Sequence, residues 1–260
     1  MLCYNILKLT KTQRIDIFMS SQKTALVVSA HSADFVWRAG GAIASHVKQG
    51  WKVKVICLSY GERGESAKLW RQPNMTLEKV KSVREQEARA AAEILGADIE
   101  FWDIGDYPMR ISDEVLFKLV DVYRELQPEF VLSHSERDPY NFDHPLAMHA
   151  AQEARIIAQA EGHNPGQKIV GAPPVYSFEP HQTEQCGWEP NTFLDITDVW
   201  DTKLHAIQSM AGQEHLWEYY TRVALQRGVQ AKRNIGITAK RNIQYAEGYM
   251  KLTPTVVEQL

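Results

Sequence analysis

Short apolar runs alternating with longer stretches of helical periodicity constrain this chain more tightly than any other feature. The first run, "TALVVSA" (24–30), is continuous and bounded by polar residues, the signature of a strand buried on both faces. Further strands are predicted over "KVKVICLSY" (52–60), "DIEFWDI" (98–104), "EFVLSH" (129–134), "PPVYSFEP" (173–180) and "TFLDIT" (192–197). Between them, apolar residues recur at helical spacing. Helices are predicted over 40–50, stopped by Gly50, and over 76–97, capped by Thr76 and stopped by Gly96. Another covers 112–127, with Ser112 as N-cap and an acidic first turn, and another 145–162, with proline at its first position. Two more cover 198–213 and 214–228. This repetition implies an α/β fold, a Rossmann-like, mostly parallel sheet with helices on both faces. No Pro/Ser-rich linker or long repeat interrupts it, so a single domain is expected over 19–260. Met19 opens "MSSQKTALVV" directly before the first strand, and residues 1–18 are expected to be an N-terminal extension.

Composition narrows the function classes. Hydrophobic residues make up 44% of the 260 and charged residues 23%, enough for a sizeable core. A net charge of −3 argues against a nucleic-acid partner. No apolar run approaches the roughly 18–20 residues of a membrane span. Three cysteines, Cys3, Cys57 and Cys186, form no C-x-x-C pair, which fits a reducing, cytoplasmic setting.

The residues with chemical potential collect where strands end. His31 and Asp34 follow the first strand, "GERGES" (61–66) the second, "DIGDYPMR" (103–110) the third and "HSERDPYNFDH" (134–144) the fourth. Glu179 and His181 follow the fifth. In a parallel sheet these segments rim one edge, where such folds bind ligands. A histidine and an aspartate three residues apart on a strand-to-helix turn can face one point. One more histidine completes a set suited to catalytic zinc, with a position left for water or substrate. His134 and His144 are the two candidates for it. A capping aspartate beside a hydrogen-bonded histidine is the plainer alternative.

Four motifs carry a family resemblance: "AHSADF" with a glycine pair after it (30–41), "REQEARAAAEILG" (84–96), "NFDH" (141–144) and "AEGY" (246–249). On these the chain resembles, over about 24–249, the zinc deacetylases related to the N-acetylglucosaminyl-phosphatidylinositol de-N-acetylases, also called LmbE-like proteins. The resemblance implies an LmbE-like fold, Zn2+ as cofactor, and His31, Asp34 and His144 as its ligands. It also implies a homo-oligomer, since such relatives are commonly multimeric. The departures are as informative. The family's general base, the first aspartate of A-H-P-D-D-E, is Ala33 here, and the glutamate after the pair is Phe35. The first histidine of H-P-D-H, which assists the tetrahedral intermediate, is Asn141. The metal set survives while both proton-handling groups of amide hydrolysis are replaced. Loss of a general base typically costs on the order of 10²–10⁴ in rate.

One branch of the family escapes this conflict. "SAHSADFVWRAGGAIA", "LSYGERGESAKLWR" and "YSFEPHQTEQC" resemble the branch that hydrates an unsaturated oxo-tricarboxylic acid in bacterial gallate degradation. That implies a zinc-dependent hydratase, with N-acyl deacetylation as the alternative. Hydration of a conjugated double bond needs an electrophile, a base for water and an acid for carbon, and zinc can serve as the Lewis acid. Among Glu62, Glu65 and His181, the expected acid/base pair is Glu65 and His181. A tricarboxylate also needs cations, and arginine binds carboxylates bidentately. Arg38 and Arg137 are expected first, ahead of Arg63 and Arg110, with His134 and Asn141 as further substrate contacts. Asp138 is expected to contact substrate or support a ligand histidine, Asp143 to support a ligand histidine or cap its helix, and "LWEYY" (216–220) to be core or a subunit interface. "AKRNIGITAKR" (231–241) is expected to be a solvated or subunit-contact loop, or a lid that recruits anions.

Overall fold

The computed structural model describes residues 22–236 and 241–259. The expected extension over 1–18 lies outside the described residues. Seven strands are described: β1 (Thr24–Ser29), β2 (Lys52–Cys57), β3 (Asp98–Phe101), β4 (Phe130–Ser133), β5 (Val175–Phe178), β6 (Thr192–Asp195) and β7 (Ala246–Lys251). They form one sheet in the order β3-β2-β1-β4-β5-β7-β6. The first five strands of that order pair in parallel, with Val27 beside Val55, Leu26 beside Val131 and Val131 beside Val175. The helices are α1 (Asp34–Lys48), α2 (Ala67–Trp70), α3 (Leu77–Leu95), α4 (Asp113–Leu126), α5 (Asp143–Ala158), α6 (Thr183–Cys186), α7 (Trp200–Ser209) and α8 (Trp217–Ile235).

Alternation along β1 explains the two layers. Ala25 and Val27 point into a core shared with Ala39, Ile43, Ala88 and Ile207 of α1, α3 and α7. Leu26 and Val28 point the other way, onto Leu119, Tyr123, Met148 and Ala151 of α4 and α5. The predicted caps form: Thr76 Oγ1 accepts from the Lys79 amide and Ser112 Oγ from the Val115 amide, both at 3.3 Å. Gly96 ends α3 at φ +77°.

Four local expectations change. Helix α1 starts at Asp34, six residues before the predicted 40. Ala33 supplies no capping side chain, and the start is set instead by burial of the whole segment Asp34–Ala44. Helix α5 starts at Asp143, so Pro145 is its third residue rather than its first. Helix α8 runs on to Ile235 and takes the first part of the 231–241 segment into the helix; residues 237–240 lie outside the described set. Strand β7, from "AEGYMK", was not predicted. It pairs antiparallel with both β5 and β6, with Tyr249 beside Phe178 and Gly248 beside Phe193.

Strand β7 also anchors α1. The buried Glu247 carboxylate accepts from the Gly41 and Ala42 amides at 2.7 Å, from Lys203 Nζ at 2.6 Å and from the Tyr249 hydroxyl at 2.6 Å. A Cβ at position 41 would lie 2.6 Å from Ile196 and 2.9 Å from this carboxylate, so the approach requires glycine. Strand order reverses at β1: β2 and β3 lie to one side, β4 and β5 to the other. A sheet of this kind opens a crevice at the carboxyl ends of the two strands flanking the reversal, here β1 and β4.

Candidate active site

The β1 and β4 ends fill that crevice with ionisable groups. His31 is the second residue after β1, Asp34 is the first residue of α1, and His144 is the second residue of α5. Both helices aim their amino ends at the crevice, which favours the carboxylates of Asp34 and Asp143 in their first turns. His31, Asp34, Glu65 and His144 each bring one donor atom to within 4.8 Å of the others. His31 Nδ1 lies 3.1 Å from Asp34 Oδ2 and 3.2 Å from Glu65 Oε1. His144 Nε2 lies 3.5 Å from Asp34 Oδ1 and 3.8 Å from Glu65 Oε1. The backbone amide of His31 donates to Asp34 Oδ2 at 2.9 Å, so the three-residue spacing closes its own turn.

Each histidine of the cluster is held from behind by a carboxylate. His31 Nε2 meets Asp143 Oδ2 at 3.2 Å, and Asp143 also accepts from the Tyr107 and Met109 amides. His144 Nδ1 meets Asp138 Oδ2 at 2.8 Å. Of the two roles the sequence leaves open for Asp143, the structure shows the support of a histidine, and that histidine is His31 across the crevice. Carboxylates in these positions fix the tautomer and raise the basicity of the facing nitrogen.

The electrostatics favour a positive charge at the centre. Burial alone would depress the His31 pKa, but Glu65, Asp143 and Asp34 outweigh it and hold the group well above its ordinary value. Burial would raise Asp34, and the imidazoles of His144 and His134 hold it well below the usual carboxylate range instead. Glu65 is lowered against the same burial penalty, chiefly by His31. His144 Nε2 is buried, faces the cluster and has no hydrogen-bond partner. An orphaned imidazole nitrogen among carboxylates that favour a cation is what a metal-ligand set looks like, and these residues fit a divalent ion.

The remaining candidates divide by depth. His134 is buried, accepts from the Ala30 amide at 2.9 Å and stacks on the His144 ring at 4.2 Å. Asn141 donates to Glu65 Oε1 at 3.3 Å and accepts from the Asp143 amide. Arg38 is buried one turn after Asp34, with Nε 3.5 Å from Asp34 Oδ1 and Nη1 donating to the Glu179 carbonyl at 2.8 Å. Arg137 is exposed and makes no side-chain ion pair among the described residues. His181 stands at the rim, its Nε2 3.3 Å from the Tyr220 hydroxyl. Ala33 is fully buried in the core. In the "GERGES" loop, a Cβ at Gly64 would fall 2.2 Å from the Tyr107 ring, whose centroid is 6.4 Å from that of His31, so glycine lets the loop pack directly on that ring. Of the 231–241 cations, Arg241 sits elsewhere, paired with Asp195 of β6 at 2.9 Å.

The sequence offers Asp138 and Asp143 as supports for a ligand histidine without saying which one each faces, and it gives no sign of the partnership of Tyr220 with His181. The first two lay inside a quoted motif, but only the fold shows which histidine each one faces.

Comparison with known proteins agrees with this geometry. The family model described as GlcNAc-PI de-N-acetylase (PIG-L) matches residues 26–155. A curated 4-oxalmesaconate hydratase of Pseudomonas putida is 74% identical over 239 residues, covering 92% of this chain and 93% of that one. The crystal structure of GalB, a 4-carboxy-2-hydroxymuconate hydratase of Pseudomonas putida, superposes with a TM-score of 0.90 at 74% identity, covering 92% of this chain and all of that one. More distantly, a diacetylchitobiose deacetylase of Thermococcus kodakarensis is 30% identical over 208 residues, 76% of this chain and 73% of that one.

Proposed function

This chain belongs to the GlcNAc-PI de-N-acetylase (PIG-L) family, and we propose that within it the chain is a zinc-dependent hydratase rather than a deacetylase. Its reaction adds water across the conjugated double bond of 4-oxalomesaconate (4-carboxy-2-hydroxymuconate) to give 4-carboxy-4-hydroxy-2-oxoadipate, a step of gallate catabolism in the cytoplasm. The observation that carries this reading is an intact metal-donor cluster beside two altered positions. Ala33 is buried and inert where the family's base stands, and Asn141 is spent on Glu65 and the Asp143 amide. The likeness to the Pseudomonas putida hydratases supplies the substrate.

His31, Asp34 and His144 would hold the metal, with Asp143 and Asp138 fixing the two imidazoles. Zn2+ bound there would supply Lewis-acid polarisation of a substrate oxygen or of water. Glu65, held by Asn141, takes the proton of water as its oxygen bonds to carbon. The π pair moves toward the conjugated carbonyl to give an enolate, and the proton held by Glu65 is then delivered to the neighbouring carbon, which completes the addition and restores the carboxylate. His181 faces the same crevice as the second catalytic group. Arg38 receives one substrate carboxylate from a buried position and Arg137 another from the rim, with the second amide hydrogen of Asn141 and the His134 wall beside them. The acting unit is a homo-oligomer. Among the described residues, no helix is long and apolar enough to cross a membrane.

The test is spectrophotometric. Enzymatically generated 4-oxalomesaconate is mixed with the protein as purified, after chelation and after zinc is restored. Loss of the conjugated chromophore that follows the metal supports the hydratase. An unchanged spectrum with zinc present, together with amine release from an N-acetylglucosaminide, would return the chain to the deacetylases.

A further inference from the structure

Tyr220 lies in "LWEYY", a segment the mechanism has not used. It is buried on α8, stacked on Trp37 of α1 with ring centroids 5.2 Å apart and planes 7° from parallel. Its neighbour Tyr219 donates to the backbone carbonyl of His181 at 2.9 Å, while the Tyr220 hydroxyl meets the ring of the same residue at Nε2, 3.3 Å away. The two tyrosines therefore hold both the main chain and the ring of His181.

The hydroxyl bears on where the imidazole carries its proton. Burial pushes the Tyr220 phenol well above its ordinary pKa, so it stays protonated and its hydrogen needs an acceptor. Among the described residues its one hydrogen-bond partner is His181 Nε2. Crowding by its surroundings and the Arg38 guanidinium lower the His181 pKa, which leaves the ring neutral at ordinary pH although the residue is exposed. With Nε2 accepting, the single ring proton would sit on Nδ1, which makes no hydrogen bond among the described residues.

We infer that Tyr220 is a positioning residue that fixes His181 as the neutral Nδ1–H tautomer, making His181 a hydrogen-bond donor to the substrate oxygen on which charge gathers rather than a base. A ring already protonated on its free nitrogen and capped on the other cannot accept a proton from water. A neutral imidazole donor adds no charge to the ground state and strengthens its bond as the oxygen becomes negative. The donor's use rests on the hydratase reading. The tautomer does not.

The experiment reads the tautomer without turnover. Long-range 1H–15N spectra of protein labelled with 15N-histidine, with the His181 signals assigned by their loss in His181→Ala, should show Nδ1 protonated and Nε2 bare. In Tyr220→Phe the pattern should move toward the Nε2–H form with an unchanged melting temperature. Its kcat should fall about 3- to 10-fold, the effect of one neutral hydrogen bond, with KM little altered. Adding Tyr220→Phe to His181→Ala should cost nothing further, since both remove the same interaction. A wild-type His181 protonated at Nε2, or a full additional loss in the double variant, overturns the inference. Failure of the wild type to bleach the 4-oxalomesaconate chromophore would overturn the hydratase reading alone, because the spectrum of His181 is read in either case.

Discussion

His31 and His181 both follow strands at the carboxyl edge of the sheet, and their surroundings treat them in opposite ways. His31 is wholly buried, with carboxylates at both ring nitrogens: Asp34 and Glu65 at Nδ1, Asp143 at Nε2. His181 is exposed and has a phenol at Nε2 and a guanidinium nearby. The first setting favours a positive charge at the ring and the second opposes one. One side-chain type thus serves two chemistries: carboxylates outweigh burial at His31, whereas desolvation and the Arg38 guanidinium act together against charge at His181. The deep wall is built to hold a cation, while the rim is built to stay neutral beside one.

That division can be broken most severely at the deep wall. His31→Ala and His144→Ala should each lose bound metal and activity together, to background, as followed by metal analysis of the purified variants. A variant that keeps its metal would show that the cluster is not the ligand set. Glu65→Gln should instead retain the metal and lower kcat by about 10²–10⁴, the usual worth of a general base; metal lost in step with rate would make Glu65 a ligand. Asp138→Asn and Asp143→Asn touch no substrate, yet each should weaken metal affinity by about 10- to 100-fold in a competition titration with a chelator. Equal affinity in wild type and variants would reduce these carboxylates to backbone fasteners. The smallest effect belongs to the rim. Arg137→Ala should raise KM by about two- to five-fold, less at high salt, as befits an exposed charge contact. A loss in kcat would place Arg137 deeper in the chemistry than its exposure suggests.

How legible this was in the sequence depended on the range of the signal. Local patterns read well: the apolar run of β1, the caps at Thr76 and Ser112, and the gathering of His31, Asp34 and His144 at strand ends. The start of α1 did not, because Ala33 offers no cap and a glycine pair lies in the middle of the helix. Only burial of its first turns, a long-range effect, overrides that composition. Strand β7 was hidden because "AEGYMK" contains a glutamate and a glycine, both poor strand formers. Glu247 is tolerated there because four donors from α1, α7 and β7 converge on it. Asp143 read as a helix cap or as a support for a histidine from its place beside His144 and Pro145, but its bond to His31, 112 residues away in sequence, exists only once β1 and β4 lie side by side.

Asp34 and Arg38 lie one turn apart on α1, a rise of about 6 Å along the axis. Three residues further on, Glu247 clamps Gly41 and Ala42 to the far strand. The helix therefore works as a ruler with two marks, one at the metal and one at the buried guanidinium, and neither mark can slide without unwinding a buried turn. A substrate gripped at both marks is measured for length by the backbone itself. Homologous acids longer or shorter by one carbon should be refused at this ruler, whereas changes in the number of charges are felt on the opposite, looser jaw formed by the loop after β4, where Arg137 stands.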